Sequence, residues 1–455
     1  MKKSIFLITG LLALSNFALQ AQTAVAPTVD SGDTAWMIVA TALVLLMSIP
    51  GLALFYGGLV RRKNVLNVFM QVFVLVGVVS VEWVIFGYSN AFGTNSIEAL
   101  KPYIGGFDWA FLNNIKVGDL SPYFISHSQL AEDGKTAIGT IPHIVFIMFQ
   151  CMFAVITPAL IIGAFAERIS FKGFLVFSVL WSIFIYNPIA HWVWSGDGWL
   201  FKLGALDFAG GTVVHISAGI AAIVTALMLG KRRDYQGHAI PAHNITYVVM
   251  GAGLLWVGWF GFNAGSGLAA DGLAANAMMV THIAAATAAI SWAILDWIMD
   301  KRPTIVGIST GAVAGLVAIT PAAGFVGIPG ALIIGVLVAV ICFCMVAYVK
   351  PKMGYDDSLD AFGVHGIGGI LGAILTGILA TPAVQSAYSG AAYGNMHQLV
   401  VQLIAVGTTI AFSAVGTYIL FKITDKLVGV RVIDKHEMQG LDETQHGETA
   451  YTNFD

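Results

Sequence analysis

Charge is the scarcest component of this sequence. Only 10% of its 455 residues are Asp, Glu, Lys or Arg, while 57% are hydrophobic. A soluble domain of this length could not cover itself with so few ionic groups, and the mean hydropathy of +0.82 excludes that class. Cysteine is nearly absent too: Cys151, Cys342 and Cys344 lie inside apolar runs and read as packing residues, not as disulfides or a metal site. No Ser-His-Asp set and no metal-ligand motif falls at catalytic spacing, which argues against an intramembrane hydrolase. The net charge of −3 identifies no charged partner. Neither nucleic acid nor a cofactor is expected.

Long apolar runs stand where charge is missing. Runs of about 18 residues or more recur, each able to cross a bilayer core of roughly 30 Å as a helix. They are continuous rather than alternating, as helices are and barrel strands are not. The expected fold is all-α: a polytopic membrane protein of eleven spans, near 34–58, 65–90, 141–165, 173–193, 207–229, 245–268, 273–298, 304–322, 328–349, 361–380 and 397–421. The opening MKKSIFLITGLLALSNFALQAQ has a basic start, a short apolar run and small residues near Ala21. It reads as a signal peptide, 1–21, removed from the mature chain; the alternative, an uncleaved first span, needs a longer run than Ile5–Leu14. A membrane domain over 22–421 and a polar tail over 422–455 follow. The loop 91–140 is polar and long enough for some structure of its own.

Basic residues orient the chain. Sixteen Lys and Arg lie on one set of alternate connections and the tail, and only Lys101, Lys116, Lys135 and Lys202 on the other. By the positive-inside rule the sixteen are cytoplasmic, the mature N-terminus is outside and the C-terminus inside. Eleven spans divide as five, five and one, so the second five run opposite to the first. Asp207 opens the fifth span and Asp360 the tenth. Val214-His215 and Val364-His365 follow, and Gly219-Ile220 aligns with Gly369-Ile370. This pattern fits an inverted repeat, with a site near the midplane between its halves. At about 1.5 Å per residue, His215 sits about 12 Å and His365 about 7.5 Å into their helices, deep enough for the rings to meet.

Each of these features also has a plain structural reading. A lone membrane histidine can serve only as a hydrogen-bonding group; two at matched positions favour a pathway, because imidazole donates, accepts and titrates near neutral pH. Asp207 and Asp360 read first as helix caps, though Asp207 could also draw a cation to the mouth. Phe149, Phe153, Trp194, Trp259 and Phe262 are core filling by default, but aromatic faces at a mouth can hold a cation. Glu82, in the middle of a span, is a third acid, costly without a partner and without an assigned role.

DFAGGTVVHISAGIAAIVTALMLGKR, GWFGFNAGS, TPAAGFVG, FGVHGIGGI and GLDETQHGETAY together resemble the ammonium transporter family, the Amt, Mep and Rh superfamily, in its bacterial Amt branch. The resemblance runs from about Ala35 into the tail. It implies a homotrimer in the bacterial cytoplasmic (inner) membrane with one narrow pore per subunit. It further implies an outer ammonium-recruitment site at Phe149, Phe153, Trp194 and Ser266, and a stacked gate of Phe153 and Phe262. His215 and His365 would form a pore dyad, Trp259 the pore wall, and Asp207 an ordering group. NH4+ would shed its proton near the gate and neutral NH3 would pass. The loop SGDGWLFKLGAL departs from close enteric relatives by one added residue. The resemblance also implies a tail docked beneath a neighbouring subunit, turning at Gly429 and Gly440, and a PII-type signalling protein as a partner. The competing readings are an ammonium sensor acting through a separate partner, since only 34 residues follow Phe421, and a haem protein using the paired histidines as ligands.

Overall fold

Backbone N–H and C=O groups cannot be left unpaired in hydrocarbon, so the apolar runs close their hydrogen bonds within themselves. The computed structural model describes residues 27–235 and 240–451. The expected signal peptide lies outside the described residues. Among them, ten helices are long and apolar enough to cross a bilayer. In chain order these are α1 (Ser31–Leu59), α2 (Arg62–Phe92), α3 (His143–Phe165), α4 (Phe171–Leu203), α5 (Gly211–Leu229), α6 (Ile245–Gly265), α7 (Gly272–Asp300), α9 (Ile328–Met353), α10 (Phe362–Leu379) and α11 (Met396–Val428). The eighth expected span is a shorter apolar helix, α8 (Ile305–Ile319). It stops before Thr320-Pro321, because proline offers no N–H to continue a helix. The loop 91–140 carries a hairpin of β1 (Gln129–Leu130) and β2 (Ala137–Ile138).

α3 is buried on nearly every side. α7, α9 and α11 instead expose large apolar side chains such as Trp297, Leu332 and Val415. A helix that stays apolar where it leaves the protein core suits lipid or another subunit.

α5 and α10 cross at the centre, through glycines. A Cβ added to Gly219 would lie 2.2 Å from Gly366 Cα, and one added to Gly369 would lie 2.9 Å from His215 Cβ. As the residue number rises on one helix it falls on the other, so the two run antiparallel at the crossing. That is the relation expected of an inverted repeat.

The basic connections gather at one end around buried acids. Glu167 Oε1 accepts from Arg61 N, Arg61 Nε and Asn64 Nδ2 at 2.8, 2.9 and 2.8 Å, and its Oε2 accepts from Arg232 Nη1 at 2.6 Å. Arg232 also grips Asp356 through Nε and Nη2 at 2.9 and 2.8 Å. Arg168 donates to the Asp356 and Gly230 carbonyls. The tail folds onto this surface. Gly429 (φ +73°) turns the chain out of α11, and Gly440 (φ +117°) turns it again after α12 (Asp434–Gln439). Ser170 N donates to the Val430 carbonyl, Leu441 N to Asn64 Oδ1, and Asn67 N to Asp442 Oδ1. The described tail is thus seated on its own chain, against the start of α2 and the α3–α4 connection.

Candidate functional site

A vestibule of about 510 Å³ opens at the end opposite the basic surface. Phe153, Trp194, Asp207 and Ser266 line it. α3 presents Phe149 and Phe153 one turn apart, with centroids 4.9 Å apart in edge contact. Trp194 ends the helical turn Asn187–Trp194 of α4. Its Nε1 donates to the Asp207 carbonyl at 3.0 Å, and its ring stands at 89° to Phe153, 5.7 Å away. Ser266 caps α6 and donates its hydroxyl proton to the Phe262 carbonyl at 2.9 Å. Its oxygen lone pairs therefore remain to accept.

Below the vestibule Phe153 and Phe262 stack, with centroids 4.2 Å apart and planes at 27°. Beyond that stack lies a cavity of only about 10 Å³, lined by Phe262, Trp259, His215 and His365 together with apolar groups such as Leu52, Phe55, Ile156 and Val313. That is room for about one water-sized molecule. His215 and His365 face each other with Nδ1 atoms 3.4 Å apart and rings at 19°. Trp259 stacks on His215 at 5.5 Å and is held by its own Nε1 donating to Thr320 Oγ1 at 2.9 Å. His215 Nε2 is buried without a partner.

Asp207 does not point its charge at the vestibule. Its carboxylate accepts from the N–H groups of Gly210, Gly211, Thr212 and Val213 at 2.8, 2.6, 2.7 and 3.2 Å, and from the Thr212 hydroxyl. It caps the open π turn, Gly211–Ile216, that carries His215. The matching cap in the second half is Asp357, not Asp360. Asp357 accepts from Ala361 N at 3.1 Å and Phe362 N at 2.8 Å, at the start of the π turn Phe362–Gly366 that carries His365. Asp360 has φ +60° and bonds Lys350 Nζ at 2.6 Å. The overlooked signal was spacing: each capping Asp stands eight positions before its histidine, 207 before 215 and 357 before 365. Burial pushes the Asp357 carboxyl up to about 7, with Lys350 opposing.

Comparison with known proteins agrees with this geometry. The profile of the Ammonium Transporter Family matches residues 35–451. The chain belongs to the ammonium transporter family. The ammonium transporter of Bacillus subtilis (strain 168) is 48% identical over 424 residues, covering 92% of this chain and 98% of the relative. Among solved structures, Mep2 of Candida albicans superposes with a TM-score of 0.81 at 34% identity, covering 93% and 91% of the two chains. A sensor Amt protein superposes at 0.80 with 28% identity, covering 91% and 98%. The family's work is transport rather than catalysis. In this ammonium transporter the aromatic, serine and histidine residues named from sequence lie together: Phe153, Trp194 and Ser266 line the vestibule, Phe149 is buried behind Phe153, Phe262 lies beneath, and His215, His365 and Trp259 surround the small cavity. The apolar side chains that narrow that cavity had no sequence signal, because an apolar residue in a membrane helix looks the same whether it lines a pore, a core or lipid.

Proposed function

We propose that this ammonium transporter recruits NH4+ at the vestibule and passes NH3 through the histidine-lined cavity, while the proton follows the imidazoles. The aromatic faces and the Ser266 oxygen replace water around the cation. The 4.2 Å Phe153–Phe262 stack and the cavity of about 10 Å³ behind it carry the reading. A bare cation there would lose its hydration with little return, whereas NH3 needs only one or two hydrogen bonds. K+ has no proton to shed, so selectivity need not depend on size. Charge asymmetry supports a bacterial cytoplasmic membrane location, with the vestibule outside and the C-terminus inside. The large apolar side chains on α7, α9 and α11 support a homotrimer. The test is current recording in proteoliposomes. Ammonium jumps should give current and K+ jumps none. Replacing both His215 and His365 with Leu should strongly reduce the ammonium current while the oligomer still assembles. An unchanged, K+-excluding current in that variant would refute the relay.

Likeness to a sensor Amt protein and the seated tail favour a second, compatible reading. The tail surface would report pore occupancy to a partner such as a PII-type protein.

A further inference from the structure

Three chain segments meet beside the vestibule, and His127 stands between them. Pro122, Tyr123, Phe124 and Ile125 of the loop 91–140 line the vestibule, as do Ser266 and Leu268 of the α6–α7 link. His127 closely follows the first group, and Asp271 the second. His127 Nδ1 donates to Asp33 Oδ2, in the first turn of α1, at 3.1 Å. Its Nε2 lies 3.7 Å from Oδ2 of Asp271, the cap of α7. Asp33 is buried and bonded to both segments: its Oδ2 accepts from Thr140 Oγ1 at 2.5 Å and its Oδ1 from Ala270 N at 2.8 Å. A neutral imidazole carries a single N–H. It can donate to one carboxylate, but it then turns a lone pair toward the other. Only the charged ring, with a proton on each nitrogen, suits both acids at once. The hydrogen bond to Asp33 raises the imidazole above its ordinary 6.5, burial opposes it, and the charges of Asp33, Asp271 and Asp30 add to the rise. Asp30 and Asp33 act from the cap and first turn of α1, and Asp271 from the cap of α7.

We infer that protonated His127 is a positioning residue for the vestibule, a clasp that holds the wall at 122–125 against the α6–α7 link carrying Ser266. This rests on the recruitment role proposed for the vestibule. The ring touches no cation itself; it acts through the two segments it joins. A raised folded-state value means that the clasp is complete below the ordinary imidazole range and is lost as pH rises through the folded value. Asp33 then keeps Thr140 and Ala270, so the loop stays folded. Asp271 loses its link to the loop, the wall relaxes relative to Ser266, and the vestibule holds the cation less closely.

The experiment reads the concentration dependence of ammonium current for the full-length protein in proteoliposomes, between about pH 5 and 8. Each variant is compared with wild type at the same pH, which cancels changes in ammonium ionisation and in the pore. His127→Gln keeps a donor and removes the charge. At acid pH its KM should exceed the wild-type value roughly twofold to fivefold, the scale of one part-exposed ion pair. At the alkaline end the two should converge, with maximal current little changed throughout. His127→Lys keeps the charge, so it should match wild type at acid pH and show the lower KM at the alkaline end. A ratio of His127→Gln to wild-type KM that does not change with pH overturns the inference, because a purely structural role shifts KM equally at every pH. Trp194→Leu is the control for recruitment. If it raises KM while the His127→Gln ratio stays constant, the clasp is wrong and the recruitment reading stands. If Trp194→Leu keeps the wild-type KM, recruitment at this vestibule is wrong and the inference falls with it. Should His127→Gln fail to assemble, His127→Lys decides: a KM equal to wild type at both ends of the range overturns the clasp.

Discussion

His215 and His365 lie with Nδ1 atoms 3.4 Å apart, so a proton shared between them needs one ring to donate while the other accepts. A relay of this kind works only as a unit. His215→Leu and His365→Leu should each lower ammonium current nearly as far as the double replacement, a non-additive pattern. If the two effects multiply instead, the rings act separately and no proton passes between them. Glu82, unexplained from sequence, accepts from Asn187 Nδ2 at 2.8 Å and so ties α2 to α4. Its carboxylate folds against Gly87, where a Cβ would lie 2.7 Å from both oxygens. Buried acids inside spans are expensive and need such partners. No periodicity announces Asn187, which is 105 positions away.

Among the elements, the α5–α10 crossing depends most on missing side chains. Gly219→Ala would set a methyl group 2.2 Å from backbone that cannot swing aside. Overpacking of this kind costs about 1–3 kcal/mol or more, and here it would also separate the helices that carry the two histidines. Gly253 on α6 has nothing within 4 Å of its Cβ position. Gly253→Ala should therefore be neutral or gain up to about 1 kcal/mol from helix propensity. Thermal unfolding of the purified oligomer checks both. A Gly219→Ala protein as stable as wild type, with normal flux, would show that the crossing tolerates separation.

Across the whole molecule, the Arg232 cluster joins four connections that lie far apart in sequence. Burial raises the Glu167 carboxyl, but Arg232 and Arg61 outweigh it and hold it below its ordinary 4.5. Burial likewise raises Asp356, and the Arg232 hydrogen bonds with the charges of Arg168 and Arg232 bring it below 3.8. Depressed folded-state values mean that this stabilisation is complete above the ordinary carboxylate range and is lost as pH falls through the lower folded values. Arg232→Met leaves the buried Asp356 carboxylate without its ion-pair partner and Glu167 with Arg61 alone, and should cost about 3–5 kcal/mol, read as a large drop in melting temperature at neutral pH. The loss should shrink at acid pH, where the carboxylates are neutral. A pH-independent loss would place the cost in packing instead. The tail sits on the same surface, with Arg431 bonding the Leu229 and Lys231 carbonyls and Glu437 accepting from Arg233 N. On the reading proposed for the tail, deleting residues from Val430 onward should alter flux and remove any capture of a PII-type protein. Full flux with full capture would make the tail a solvated end.

The sequence alone determined that the chain is a polytopic helical membrane protein. Burying backbone in lipid requires long apolar helices, and their length and flanking charges are local properties. It also determined the paired histidines and the aromatic set, because polar and aromatic motifs stand out against an apolar background and match a family pattern. Tertiary structure alone decided what each carboxylate does. Asp207 and Asp357 spend their charge on helix starts, Asp360 meets Lys350, and Glu82 meets Asn187, since a partner is set by which helices touch. It alone decided the width of the pore and the seat of the tail. Both depend on side chains distant in sequence, and no spacing along the chain encodes the distance between two packed faces.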